Sequence, residues 1–110
     1  MHTSAAGAVA RRLSTLALLY ESGQASDLMD RTLGKLLAHE AEKSRSQLAQ
    51  LQADLADFET RYAMSSQEFY NRYRAGQTDD RMDFVEWAAL SQMTSNLEHR
   101  LRLLTGEDRA

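Results

Sequence analysis

Three histidines and a group of acidic residues are the side chains of this chain best suited to chemistry. His39 and Glu40 are adjacent, as in the helical zinc-protease motif, but that motif needs a second His where Lys43 stands. Bridged di-iron helices need a His three residues after a Glu. Glu40 is followed at that spacing by Lys43, and Glu86 is followed by Ala89. The sequence therefore contains neither metal motif.

Four acidic residues lie close together near the start of the last predicted helix. They are Asp79, Asp80, Asp83 and Glu86. Carboxylates are preferred ligands of hard cations, but the spacing of a calcium-binding loop is missing. Acids at a helix start also bind free backbone N–H groups and favour the positive end of the helix dipole. We interpret the group as a helix start and expect no metal ion and no cofactor.

Nucleophilic catalysis has little support in the sequence. The three histidines, His2, His39 and His99, are scattered, and there is no Gly-rich loop or nucleophile elbow. The chain also has no Cys, which excludes thiolate nucleophiles and thiolate metal sites. We predict that the protein is not an enzyme.

Arginines and tyrosines alternate around the predicted third helix, a combination that can hold phosphates and stack bases. The residues are Arg61, Tyr62, Tyr70, Arg72, Tyr73, Arg74 and Arg81. Acids lie nearby and the whole chain has a net charge of -3, so we expect no direct nucleic-acid binding. We favour Phe69 and Tyr73 facing the core, with Tyr70 and the arginines facing solvent. The same patch suits a protein partner. The predicted partner-binding residues are Tyr70, Arg72, Tyr73 and Arg74, together with Leu18 and Leu19.

Composition limits the fold class. The 110 residues are 43% hydrophobic and 26% charged, which is ordinary for one small folded domain spanning 1–110. The absence of Pro indicates that few residues lie outside helices. Apolar runs are far shorter than the roughly 18 residues of a membrane span, so we expect a cytoplasmic protein with no membrane contact.

Helix start and stop signals divide the chain into four helices, predicted at about 5–21, 27–62, 66–75 and 84–105. Residues 1–8 are expected to be disordered in part. Gly23, Gly76 and Gly106 are placed to end helices, and Ser26 or Asp27 to cap the second one.

Two capping boxes are predicted, each with a hydrophobic staple. In the first, Ser65 caps the third helix, Glu68 reaches back, and Met64 packs on Phe69. The second begins the fourth helix in the same way, with Asp83 as cap, Glu86 reaching back and Met82 packing on Trp87.

The long helix and the last helix each carry apolar residues three and four apart, which is typical of a coiled-coil seam. We predict that they form an antiparallel hairpin connected by the short third helix. The seam residues are Leu48, Leu51, Leu55, Phe58 and Tyr62 on one helix and Trp87, Leu90, Leu97 and Leu101 on the other.

The last helix can cover the long helix only back to about Ala41. The N-terminal helix, docked in cis or swapped, is expected to cover the earlier apolar residues Met29, Leu33, Leu36 and Leu37. A two-helix layer cannot surround its own apolar stripes, so we predict a homodimer or a heteromeric complex that forms a helical bundle. Parallel and antiparallel dimers both remain open.

The motifs RYAMSSQEFY at 61–70 and DFVEW at 83–87, with Gly76 between them, resemble a family of small all-helical prokaryotic proteins. The segments LYESG at 19–23 and LLAHE at 36–40 extend the resemblance over most of the chain. Members of this family are mostly uncharacterised, and their genes often lie beside a second small gene in pairs assigned as toxin-antitoxin systems, often as the antitoxin member. The resemblance implies an antitoxin-like role and transfers no catalytic residue. Ala63 stands where many relatives have Gly, and it is expected to weaken the stop of the long helix.

Two functions follow as predictions. The first is a non-enzymatic, antitoxin-like protein that binds and neutralises a small toxin encoded nearby. The alternative is a self-assembling structural or adaptor coiled coil. The sequence leaves open the identity of the partner and any role in operon autoregulation.

Overall fold

The computed structural model describes residues 2–107 and shows an all-helical fold, with no strand in that range. The four helices are α1 (His2–Glu21), α2 (Asp27–Tyr62), α3 (Ser66–Arg74) and α4 (Met82–Thr105). The predicted fold class and the α2–α4 hairpin are confirmed. The chain divides into two compact units, Met1–Leu36 and Leu37–Ala110, which we describe separately.

In the first unit, α1 ends where the sequence predicts. Gly23 adopts a left-handed φ of 72°, and the next amide, of Gln24, donates to the carbonyl of Leu19 at 2.7 Å. This pattern satisfies the last free carbonyls of the helix. Ser26 then caps α2, because its Oγ accepts from the amide of Met29 at 3.2 Å.

The start of α1 differs from the prediction. The helix begins at His2, so most of the segment expected to be disordered is helical, while Met1 lies outside the described residues. Ala5, Ala6 and Ala8 explain the difference, since Ala has the highest helix propensity of all residues.

The end of α2 corrects a second expectation. Ala63 does not let the helix continue: α2 ends at Tyr62, and Ala63 itself takes a positive φ of 51°. The amide of Met64 then donates to the carbonyl of Glu59 at 3.3 Å. The turn needs the left-handed conformation and imposes it on a residue that has a Cβ.

The first predicted capping box is half present. Ser65 has extended backbone, and its Oγ accepts from the amide of Glu68 at 3.1 Å. Glu68 does not reach back, because its carboxylate pairs with Arg72 at 2.7 Å. Glu59 of α2 replaces it by accepting from the amide of Ser66 at 2.8 Å.

The second predicted capping box is wrong. Arg81 occupies the N-cap position of α4 without a side-chain cap bond, and Asp83 lies inside the first turn. The carboxylate of Asp83 accepts from Tyr62 and Arg61 of α2 instead. Met82 is 76% exposed, so it does not form a staple with Trp87. Asp83, which the local sequence pattern assigned to the cap, therefore binds Tyr62 and Arg61 of α2 instead.

The core of the second unit lies at the end of the hairpin nearest α3. It consists of Leu55, Phe58, Phe69, Trp87 and Ala88, with partly buried residues around it. The side chains come from α2, α3 and α4, so three helices, rather than two, enclose this end. At the other end of the hairpin Ala41 is buried, as the predicted reach of α4 along α2 requires.

Candidate functional site

Trp87 is the centre of the closed end of the hairpin, which we call the aromatic end. Its side chain is fully buried, and its ring stacks on Phe69 at 3.9 Å between centroids. Phe58 and Tyr62 of α2 each lie 5.6 Å from the Trp87 ring. These rings therefore join α2, α3 and α4 through one buried indole.

The indole N–H of Trp87 also has a partner. Nε1 donates to Ser66 Oγ at 2.9 Å, and the Ser66 amide donates to Glu59 Oε2 at 2.8 Å. A buried N–H without a partner would be costly. Ser66 thus serves the aromatic end as a hydrogen-bond acceptor, a role that was not predicted from the sequence.

A charged cluster lies beside the same end. The Tyr62 hydroxyl donates to Asp83 Oδ2 at 2.5 Å, and Arg61 Nη1 lies 3.0 Å from the same oxygen. These donors hold the pKa of the Asp83 carboxyl below its usual value, with the Tyr62 hydrogen bond as the larger cause. Likewise, the Arg81 side chain lowers the pKa of the Asp79 carboxyl by hydrogen bonding. Asp83 and Asp79 therefore form ion pairs with Arg61 and Arg81.

The far end of the hairpin, which we call the polar end, is closed by a clamp. Arg100 of α4 donates through Nη1 to the hydroxyl of Ser44 and through Nη2 to Glu40 Oε1 at 2.9 Å. Ser44 is fully buried, and Glu40 and Arg100 are partly exposed. The sequence reasoning missed this clamp. Its available signal was Ser44, which continues the three-four spacing back from Leu48.

An open groove of about 500 Å³ runs along one face of the hairpin between α2 and α4. We call it the hairpin groove. It is lined by Gln47, Gln50, Leu51, Met93, Asn96, Leu97 and Arg100. Its apolar centre is Leu51 and Leu97, which are half-buried, and Met93, which is 52% exposed. This centre is accessible to another molecule.

A second groove of about 480 Å³ lies between α3 and α4, on a different flank of α4, and we call it the α3 groove. Polar side chains line most of it, including Gln67, Asn71, Ser91 and Ser95. The buried hydroxyl oxygen of Ser91 has no hydrogen-bond partner among the described residues. Polar walls make this groove less suited than the hairpin groove to an apolar side chain.

Two of the predicted partner-binding residues meet at the α3 groove. Arg74 lies 5.9 Å from the ring centroid of Tyr70, and both line the groove. Tyr70 does not face solvent as expected. It is half-buried, packs against the core, and donates to Gln92 Oε1 at 2.7 Å, because α3 lies directly on α4.

The other predicted partner-binding residues lie apart. Tyr73 packs on Phe69 at 5.7 Å and is half-buried, in the orientation expected of it. Arg72 is paired with Glu68 on the exposed side of α3. Leu18 and Leu19 belong to the first unit, where Leu18 is 63% exposed and Leu19 is half-buried.

The predicted seam residues fall into two groups by exposure. Leu55, Phe58 and Trp87 are buried. The half-buried group contains Leu48, Leu51, Tyr62, Leu90, Leu97 and Leu101. Thr94, which interrupts the apolar pattern of α4, is buried and donates its hydroxyl to the Leu90 carbonyl at 2.8 Å.

The first unit keeps much of its apolar surface exposed. The stripe of α1 at helical spacing contains Val9, Leu13, Leu16 and Tyr20. Val9 is 50% and Leu13 56% exposed, and on α2 Leu28 is 67% and Leu36 54% exposed. Met29 and Leu33 are half-buried, so the earlier apolar residues of α2 are covered only in part.

Between residues 2 and 107, no three His, Cys, Asp or Glu side chains form a group that could hold a metal ion. No helix in the same range is long and apolar enough to cross a membrane. No protein-family model matches the chain, and comparisons with curated proteins and with solved structures find no match either. The family resemblance noted in the sequence therefore stays a prediction.

Proposed function

We propose that this chain is a non-enzymatic protein-binding module. In the form that the sequence resemblance implies, it is a cytoplasmic, homodimeric, antitoxin-like protein that binds and neutralises a small toxin encoded by a neighbouring gene. The observation that carries the proposal is the apolar stripe of α1, whose residues Val9 and Leu13 stay half exposed or more.

An amphipathic helix with an uncovered apolar stripe is suited to one recognition mode above others. It lies in an apolar groove of a partner and anchors there through residues three and four apart. Val9, Leu13, Leu16 and Tyr20 have this spacing. Two residues predicted for partner binding lie on the same helix: Leu19 is beside the stripe, and Leu18 is on the opposite face.

The experiment is co-expression of the tagged chain with the product of the adjacent gene, read as growth rescue and as co-purification. The chain should rescue growth and retain the gene product at fixed stoichiometry. A Val9→Glu/Leu13→Glu variant should lose both, since two charges would enter the apolar contact. Thr15→Glu, on the same helix but off the stripe, is the matched control and should behave as wild type.

Equal helicity of the variants by circular dichroism would exclude unfolding as the cause of any loss. If the adjacent gene product causes no growth arrest, or if both glutamates leave its binding intact, the antitoxin-like proposal is wrong.

The alternative is a self-assembling structural or adaptor coiled coil. The hairpin groove favours it, because Leu51, Met93 and Leu97 form an accessible apolar centre on the second unit. Recovery of the chain as a clean self-assembly, with no stoichiometric partner, would support this second function.

A further inference from the structure

Charges along the hairpin groove are arranged symmetrically about its apolar centre. On α4, Met93 stands seven residues after Glu86 and seven residues before Arg100. Seven residues are about two helical turns, so all three lie on one face of the helix. Leu90 and Leu97 lie on either side of Met93, which makes the face apolar in the middle and oppositely charged at its ends.

The same seven-residue spacing of opposite charges occurs on α2, about a polar central residue. Gln50 stands seven residues after Lys43 and seven residues before Asp57, again on one face. Gln50 and Met93 line the same groove, so the two centres lie at about the same level along the hairpin.

Because α2 and α4 are antiparallel, charges of one sign collect at each end of this face. Asp54, Asp57 and Glu86 line one pocket at the aromatic end. Arg61 lines it too, but its guanidinium is already paired with Asp83 at 3.0 Å. The polar end carries Lys43 and Arg100. Here Glu40 offsets part of the positive charge, since it lies 2.9 Å from Arg100.

We propose that the hairpin groove binds a second copy of this chain, with the two hairpins stacked face to face and pointing in opposite directions. This names the surface and orientation of the homodimer that is part of the proposed function. The two-fold axis lies in the interface at the level of Met93, so α4 packs antiparallel on the partner copy's α4 and α2 on its α2. Glu86 of each copy then faces Arg100 of the other, and Asp57 faces Lys43.

Charge decides between this orientation and its alternative. If the two hairpins pointed the same way, the acidic pockets of both copies would meet, and so would their basic ends. Like charges in contact oppose association. The opposite orientation converts each of these repulsions into an attraction and still covers the apolar residues Leu90, Met93 and Leu97.

Charge reversal in the purified full-length chain tests the inference. By sedimentation equilibrium, Lys43→Glu should weaken the dimer by about tenfold, because two attractive pairs become repulsive in the symmetric interface. The double variant Lys43→Glu/Asp57→Lys should restore the dimer, since each pair regains opposite charges. Both side chains are exposed in the hairpin, so neither change should alter folding.

Cysteine scanning tests the axis, because the chain has no Cys of its own. Under mild oxidation, Met93→Cys should form disulfide-linked dimers rapidly, since position 93 of one chain would lie beside position 93 of the partner copy. Met82→Cys is the matched control: it is 76% exposed but far from the axis, and should react slowly.

A monomer at the highest soluble concentration would overturn the proposal, as would equal reaction of the two cysteines or no rescue in the double charge variant. These measurements use the chain alone. They can therefore fail while toxin neutralisation succeeds, and the reverse is equally possible.

Discussion

The two ends of the α2–α4 hairpin are held together by different chemistry. At the aromatic end, four rings from three helices enclose a fully buried Trp87. At the polar end, Arg100 reaches across from α4 to Ser44 and Glu40 of α2. The presence of α3 explains the difference, because within the second unit it adds a third helix that excludes water at the aromatic end.

The two ends contribute in different ways to the stability of the hairpin and to the alignment of α2 with α4. Burying apolar rings contributes energy in proportion to area and with little dependence on direction. A guanidinium that donates to two defined oxygens contributes less energy but fixes the level of one helix against the other. We therefore expect the aromatic end to dominate the free energy of unfolding, and the polar end to specify the alignment of α2 and α4.

The largest expected effect is at the aromatic end. Trp87→Ala should lower the free energy of unfolding by about 3 to 5 kcal/mol, since it removes a fully buried ring and leaves a cavity. Urea denaturation measures the loss. Met82→Ala, at an exposed position of the same helix, is the control and should change stability by less than about 0.5 kcal/mol. A small loss at Trp87 would remove the contrast between the two ends.

The clamp at the polar end should show a smaller effect. Arg100→Met keeps the apolar stem but removes two hydrogen bonds, so we expect a loss of about 1 to 2 kcal/mol. Arg45→Met is the matched control, because its exposed pair with Glu42, at 3.7 Å, should contribute less than about 0.5 kcal/mol. Both are measured by denaturation of dilute, monomeric protein. Equal losses in the two variants would mean that the clamp is an ordinary surface ion pair.

The turn after α2 offers a gain in stability. Ala63→Gly should raise the free energy of unfolding by about 0.5 to 1 kcal/mol, because Gly adopts a positive φ without the strain of a Cβ. Ala56→Gly, inside the exposed side of α2, should instead lower it by about 1 kcal/mol. Thermal unfolding of both variants shows whether each substitution raises or lowers stability. A destabilised Ala63→Gly protein would contradict the left-handed turn.

Acid should weaken the aromatic end through Asp83. Its pKa is lower in the folded protein than in the unfolded chain, so its contribution is present above the unfolded pKa. That contribution is lost as the pH falls through the folded pKa, because protonation weakens the bonds from Tyr62 and Arg61.

The measurement is Tm against pH for the wild type and for Asp83→Asn. The variant should have a lower Tm at neutral pH and a smaller fall in acid. Glu98→Gln, on an exposed side of α4, serves as the control. Parallel curves for wild type and Asp83→Asn would show that this carboxylate does not couple folding to pH.

The sequence by itself determined the elements and their order. Apolar spacing, helix-forming residues and the glycines at 23, 76 and 106 act within a few residues, so the four helices and the hairpin could be predicted without a structure. Ser65 as a cap could be predicted for the same reason. The partner-binding residues were placed less well: Tyr70 and Arg74 meet at the α3 groove, whereas Leu18 lies in the other unit.

Tertiary structure decided which partner each polar side chain takes. Asp83 had a suitable cap position nearby, yet Tyr62 and Arg61 of α2 bind it, and Glu59 replaces Glu68 at the start of α3. Ala63 was forced into a conformation that its own preference disfavours. The physical reason is the same in each case: local signals are worth about 1 kcal/mol or less, and burying Trp87 among three helices outweighs them.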